Sequence, residues 1–264
     1  RSWRLTAAHT PMFPQTNPCS APANLLRIAE WGGASRTSTE ISSDGLSYTF
    51  TLRDGLKWHD GQPVTAEDCI ASIQRWASRD AVGQKLMTFV ASITARDPKT
   101  FALQLKEPSG LVLPALGKPD VNVPFMMPKR VAQTPGNTQI TDTTGSGPFI
   151  FRRDLWRPGQ IAVYMRNPDY KPRDEPVSRL AGGKRALVDR IEMLAMSDHQ
   201  QAINALLAGE IDFIEAPPFD LHRLLERDRN IQMMTLSPVG SQNIFRINHL
   251  HKPFDNPRIR QVLW

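Results

Sequence analysis

Few residues of this chain are spaced for covalent chemistry. The most suggestive pair is His59-Asp60, an imidazole beside a carboxylate, which could act as a general base with its orienting acid. The same residues also read as a strand end followed by the Asp60-Gly61 turn, and turn chemistry is the stronger reading. His249 and His251 would point to one side of a strand and so could begin a metal pair. Two ligands with no third nearby do not complete a site, and a solvated or hinge-side role is favoured. His199 and His222 fall in the first turns of expected helices and read as surface residues. Glu67, Asp68, Glu210, Asp212 and Glu215 read as helix-start charges or as the flanks of a buried strand. The motifs G-x-S-x-G, S-x-x-K, H-E-x-x-H and G-x-x-x-x-G-K do not occur. Gly145-Ser146-Gly147 is followed by Pro148 and a strand rather than by a helix, so it reads as a tight backbone turn and not as a phosphate cradle. The expectation is therefore a protein that is not an enzyme and uses no cofactor or metal, with a hydrolase or other enzyme using the His59-Asp60 region as the rival.

The elements that must position these residues follow from bulk composition and local pattern. Of 264 residues, 40% are apolar and 22% charged, the balance of a globular protein and not of a disordered one. No run approaches the roughly 18 consecutive apolar residues that a membrane span needs. The chain carries 32 basic and 26 acidic residues, net +6. The basic residues are scattered rather than gathered on one stripe, which argues against nucleic acid as a partner. Cys19 and Cys69 form neither a zinc pair nor a C-x-x-C motif. Cys69 lies on the apolar stripe of an expected helix and reads as a buried thiol, with a Cys19–Cys69 disulfide the less favoured alternative. The chain begins at Arg1 without a methionine or signal pattern and stops at Trp264 inside an expected helix; both ends read as fragment ends.

Residues 1–40, rich in Pro, Ser, Thr and Ala, show no reliable period. From Ser43 the pattern sharpens. Tyr48, Phe50 and Leu52 alternate with polar residues, the period of a half-buried strand. Asp54-Gly55 turns the chain, residues 56–59 read as a second short strand, and Asp60-Gly61 turns it again. Thr65 is an expected N-cap with Asp68 at the third helical position. It opens a helix with Ala66, Cys69, Ile70, Ile73, Trp76 and Ala77 on one face. Residues 79–89 look less regular. A hairpin follows around Asp97-Pro98-Lys99-Thr100, with Phe101, Leu103 and Leu105 on one side. Seven prolines break residues 106–148 into short helices and loops. A second hairpin joins Phe149 and Phe151 to Ile161, Val163 and Met165 through Arg157-Pro158-Gly159-Gln160. Then come a strand at 190–195, a helix capped by Ser197, a buried strand at 211–214, and a helix begun by Asp220. Strands at 231–236 and 243–248 lead to a last helix capped by Asn256. Such alternation predicts a mixed-sheet α/β fold. Trp58, Trp76, Phe89, Phe125, Phe149 and Trp156 exceed what a turn network needs; most read as core, with one or two left to line a cleft.

At this point the residues resemble a family. SDGLSYTFTLRDGLKWHDGQPVTAED at 43–68, GSGPF at 145–149, LWRPGQIAVYMRNPDY at 155–170, LLAGEIDFIEAPP at 206–218 and NHLHKPFDNPRIRQVL at 248–263 are similar, in order, to stretches of the family 5 extracellular solute-binding proteins. These include the peptide, dipeptide and nickel-binding components of ABC importers. The resemblance implies a periplasmic-binding-protein-like type II clamshell, of which this chain holds the first lobe and an extra subdomain, the second lobe being largely absent. It implies a basal subdomain from residues 1–45 and 145–255, an extra α/β subdomain from 46–144, and the start of lobe II at 256–264. It further implies an extracytoplasmic, monomeric receptor that captures a small polar solute, most readily a peptide, and delivers it to an ABC permease in the membrane. By this analogy the ligand-binding candidates are Arg79, Met87, Phe89, Lys118, Asn122, Gly145, Ser146, Gly147, Phe149 and Asn248. A sensory or chaperone-like protein on the same scaffold is the remaining alternative. Two departures stand out: residues 1–42 fit the family poorly, and Ala81, Gln84 and Val121 stand where nickel-binding members carry Arg and Trp, which argues against a nickel chelate.

Overall fold

Alternating apolar and polar residues at 47–52 build an inner strand of one sheet, and Asp-Gly pairs turn the chain on either side of residues 56–59. The computed structural model describes residues 2–7, 36–117, 123–176, 183–235 and 246–262. The strands are β1 (Ser2–Ala7), β2 (Arg36–Ile41), β3 (Ser47–Leu52), β4 (Val90–Ala95), β5 (Thr100–Leu105), β6 (Phe149–Phe151), β7 (Ile161–Arg166), β8 (Arg190–Ala195) and β9 (Phe213–Ile214). The helices are α1 (Ala66–Ala77), α2 (Ala81–Phe89), α3 (Val112–Leu116), α4 (Lys129–Ala132), α5 (His199–Leu207), α6 (His222–Leu225) and α7 (Pro257–Val262). Contacts divide the chain into two units, Arg1–Leu221 and His222–Trp264.

The first unit holds both sheets. One has the order β2-β3-β5-β4 and is antiparallel throughout. On β3, Tyr48, Phe50 and Leu52 are buried, as the period of two requires. Phe50 lies opposite Phe101 of β5 and stacks on it, with ring centroids 5.0 Å apart. Leu103, Leu105, Ile73, Trp76, Leu86 and Val112 join them, so the core sits between this sheet and α1, α2 and α3. Gly55 (φ 72°) and Gly61 (φ 84°) occupy the left-handed region at the two Asp-Gly turns. Between the turns, residues 56–59 do not form the expected strand. A single bridge joins Lys57 to Pro63, because Gly61 returns the chain too soon for a ladder to extend. Residues 79–89 are more regular than expected. Asp80 accepts hydrogen bonds from the Val82 and Gly83 amides (2.9 and 3.1 Å) and caps α2.

The second sheet is mixed, in the order β6-β7-β8-β1-β9. Strands β6 to β8 are antiparallel, and β1 runs parallel to both β8 and β9. The weakly patterned N-terminus thus supplies an inner strand. Arg4 extends its ladder, donating its amide to Asp212 Oδ2 (2.7 Å) while its carbonyl accepts from the Asp212 amide (2.8 Å). Strand β2 pairs with β3, so residues 36–41 belong to the four-stranded sheet. Helix α5 is capped by Asp198, whose carboxylate accepts from the Gln201 amide at 2.6 Å, and not by Ser197.

The second unit contains α6 and α7. Neither residues 231–235 nor 246–248 form a strand; the rest of the two strands expected there lies outside the described residues. His249 and His251 sit in exposed turns rather than on a strand face, which removes their shared direction. Asn256 accepts from the Arg258 amide (3.0 Å) at the start of α7, as expected. None of the described helices is long and apolar enough to cross a membrane.

One buried carboxylate organises the entry to α1. Asp68 Oδ2 accepts from the Thr65 amide (2.8 Å), the Thr65 hydroxyl (2.8 Å) and Trp58 Nε1 (3.2 Å), and Oδ1 accepts from the Lys129 amide (2.6 Å). One turn on, Ser72 Oγ donates to the Asp68 carbonyl (2.7 Å) and accepts from the Met127 amide (3.0 Å). Removing the carboxylate strands several buried donors at once. Asp68→Ala should cost about 3 kcal/mol, read as a lower urea midpoint at unchanged slope. Glu67→Ala, which breaks the exposed pair with Lys129, should cost less than about 1 kcal/mol. Equal costs would contradict the network's role.

Candidate functional site

The segment that leads from the four-stranded sheet back to the mixed one is held along its length. Arg153 donates to the Thr141 carbonyl (2.7 Å) and Arg75 to the Thr138 carbonyl (3.2 Å). Arg130 reaches Asp142 (3.1 Å), Thr144 Oγ1 (3.3 Å) and Asp60 (3.2 Å) together. Burial raises the Asp142 carboxyl, but the Thr144 hydrogen bonds and the Arg130 guanidinium outweigh it, and the net shift is downward.

At its end the segment meets His59. The His59 amide donates to the Gly145 carbonyl (2.8 Å), and the Gly145 amide donates back to His59 Nδ1 (3.2 Å). His59 Nε2 lies 3.1 Å from the Gly147 carbonyl. Because Nδ1 accepts, Nε2 carries the proton, and the ring is the neutral Nε2–H tautomer. The Gly147 carbonyl also accepts from Asn167 Nδ2 (2.9 Å), and the Asn167 amide donates to the Pro148 carbonyl (2.8 Å). His59 is therefore wired to backbone through both ring nitrogens. Burial pushes its pKa below 6.5, against the opposing effects of the Gly147 carbonyl and the Asp60 charge.

The structure brings some of the sequence candidates together and separates others. Gly145 and Ser146 lie in an irregular stretch that bends at the buried Gly147 and Pro148, and the half-buried Phe149 begins β6 just after that bend. The tight glycine turn expected there is not formed, since neither Gly145 nor Gly147 has a positive φ. Phe149 packs with Trp156, Ile191 and Met193 around Phe151 and Tyr164. Met87 and Phe89 lie on α2 and pack half-buried against the first core, and Arg79 is exposed just before the helix. Lys85 Nζ stands 4.9 Å from the Phe89 ring centroid, a cation–π contact. Lys118 and Asn122 lie outside the described residues. Asn248 belongs to the second unit, where it is exposed and accepts from the Leu250 amide (3.1 Å). Cys69 is buried on α1, and Cys19 lies outside the described residues. Arg130, Asp142, Thr144 and Asn167 escaped the sequence reading; the N-P-D stretch at 167–169, an Asx turn signal, was the one hint. Among the described residues, no group of three His, Cys, Asp or Glu could hold a metal ion.

Known proteins place this arrangement. The fold matches a dipeptide-binding protein from Pseudoalteromonas sp. SM9913 in complex with Met-Leu, at TM-score 0.68 and 17% identity, covering 100% of this chain and 56% of that one. It also matches the periplasmic binding protein AgaA from Agrobacterium tumefaciens in complex with agropinic acid, at TM-score 0.64 and 22% identity, covering 87% of this chain and 46% of that one. These likenesses define a mixed α/β fold of the type II periplasmic-binding-protein kind. In sequence the chain is 42% identical over 238 residues to a probable peptide ABC transporter periplasmic-binding protein of Sinorhizobium fredii, covering 89% of this chain and 43% of the relative. The model of the bacterial extracellular solute-binding proteins, family 5, matches residues 30–263, and the chain belongs to that family. It spans about half the length or less of the relatives it matches.

The His59 contact makes Gly145 intolerant of a side chain. A Cβ there would stand 3.1 Å from His59 Cε1, so Gly145→Ala must move the ring and loosen its bonds. The expected cost is about 1–2 kcal/mol in thermal or urea unfolding. Gly110→Ala, where a Cβ meets nothing within 4 Å, should leave stability within about 0.5 kcal/mol. An unchanged Gly145→Ala protein would contradict the contact.

Proposed function

We propose that this chain forms one wall of a cleft in which a solute is captured without covalent chemistry and passed to an ABC permease. The observation that carries this reading is the family match over residues 30–263. The 42% identical relative described as a probable peptide ABC transporter component points the solute class toward peptides. On this reading the first unit contributes the cleft wall through α2 and the segment at Gly145, Ser146, Gly147 and Phe149. The four-stranded sheet with its helices, beginning at Arg36, is the added subdomain. Arg79, Met87 and Phe89 supply a guanidinium and apolar surface for a solute, and Lys118, Asn122 and Asn248 join them on the family resemblance alone. The protein works outside the cytoplasm, as a monomer, and the partner that completes the trap is a second lobe closing over the solute.

A non-covalent role is supported by the state of His59. A base must have a ring nitrogen free to take a proton from substrate, and both nitrogens of His59 are engaged with backbone. The test is a thermal-shift screen of the complete gene product against short peptides, opines and sugars. Peptides should stabilise it, by about 2.7 kcal/mol at a hundredfold excess over Kd. Residues 1–264 alone should bind the same peptides far more weakly. Stabilisation by no solute, or micromolar binding by residues 1–264 alone, would overturn the proposal.

A further inference from the structure

The His59 contact does more than fill space. It is a pair of backbone bonds of opposite sense made by one ring: Nδ1 receives the Gly145 amide and Nε2–H serves the Gly147 carbonyl. Only the neutral imidazole can do both. We infer that His59 is a proton-operated positioning residue, which holds the Gly145–Gly147 segment in its capture-competent shape when neutral and releases the Gly145 side of it when protonated. The link to capture rests on the cleft reading above; the release itself does not.

The two halves of the latch respond differently to a proton. A proton taken from solvent at Nδ1 occupies the lone pair that receives the Gly145 amide, so two N–H groups then face each other. Nε2–H keeps its bond to Gly147 and strengthens it as a charged donor. Gly147 is also held by Asn167 (2.9 Å) and stays in place. Gly145 keeps its carbonyl bond from the His59 amide (2.8 Å), so this bond becomes the pivot about which its amide turns away.

Asp60 acts on the His59 ring directly and favours the proton. Asp60 is itself paired with Arg130 (3.2 Å), which draws its charge away from His59 and also binds Asp142 (3.1 Å) on the same crossing. With the folded pKa below 6.5, the stabilisation from neutral His59 is fully present above that value. It is lost as pH falls through 6.5 toward the folded pKa. The latch is closed at neutral pH and opens as pH falls through the folded pKa.

The experiment follows His59 and Gly145 by NMR in the complete gene product, with hydrogen exchange normalised for intrinsic rate, from about pH 7.5 downward until the His59 ring has titrated. At the upper end His59 should report the Nε2–H tautomer. As the ring titrates, the Gly145 amide should lose about tenfold in protection, the worth of one hydrogen bond, while the Asn167 side-chain amide is unchanged. His59→Asn, whose Oδ1 keeps an acceptor near the Gly145 amide without a titrating group, should flatten this profile. His59→Gln, which keeps a donor for Gly147 alone, should leave Gly145 unprotected at every pH. Peptide affinity of the parent should fall about tenfold over the same range, and that of His59→Asn should not. Gly145 protection that ignores the titration would overturn the latch. A latch that opens while affinity stays level would overturn its role in capture. Absence of peptide binding at any pH would defeat the cleft reading, with the NMR result still deciding the latch.

Discussion

The four-stranded half of the molecule depends on where one negative charge is kept. Asp68 is buried, and a buried carboxylate is tolerable only when donors surround it. Here those donors come from three separate parts of the chain: Trp58 in the turn after β3, Thr65 at the start of α1, and the Lys129 amide at the start of α4. The charge therefore fixes the entry to α1, the depth of the Trp58 ring in the core, and the position of the segment that leads into α4. Ser72 repeats the arrangement one turn later, with the Met127 amide. Once α4 is placed, so is Arg130, and with it the path of the crossing through Asp142 and Thr144.

The same economy appears at the crossing. A glycine-containing segment between two sheets has little side-chain surface with which to hold itself, and neighbouring side chains supply the missing bonds. His59 and Asn167 take the backbone groups of Gly145, Gly147 and Pro148, and they come from separate parts of the chain, one beside the Asp60-Gly61 turn and one at the end of β7. A segment bonded to two side chains is held in place without side-chain surface of its own.

Much of this was legible in the sequence, and the legible parts share a cause. The alternation at Tyr48, Phe50 and Leu52, the Thr65/Asp68 capping box, and the Asp-Gly turns are local signals in which neighbouring residues state their own conformation. What the sequence hid was non-local. Strand β1 has a faint Trp3, Leu5, Ala7 alternation, but its place inside the mixed sheet depends on partners nearly two hundred residues away. Helix α2 was missed because Gly83 sits near its start, where its Cβ would lie 2.7 Å from the Ala77 backbone. A residue that looks like a helix breaker is there to let α2 approach α1. The candidate site was legible only in part for the same reason. Gly145-Ser146-Gly147 reads as a tight turn, yet the chain only bends at Gly147 without a positive φ, and Arg130, Asp142 and Asn167 are ordinary surface residue types until the fold brings them to this segment.

The central claim is that α2 and the Gly145 segment face a bound solute in the complete protein. Hydrogen–deuterium exchange of the complete gene product, with and without a saturating peptide, tests this most directly. Protection should rise at residues 79–89 and 145–149, with the interior of β3 and β5 unchanged because it is already protected. Peptide binding that protects other surfaces and leaves both of these segments exchanging as before would contradict it.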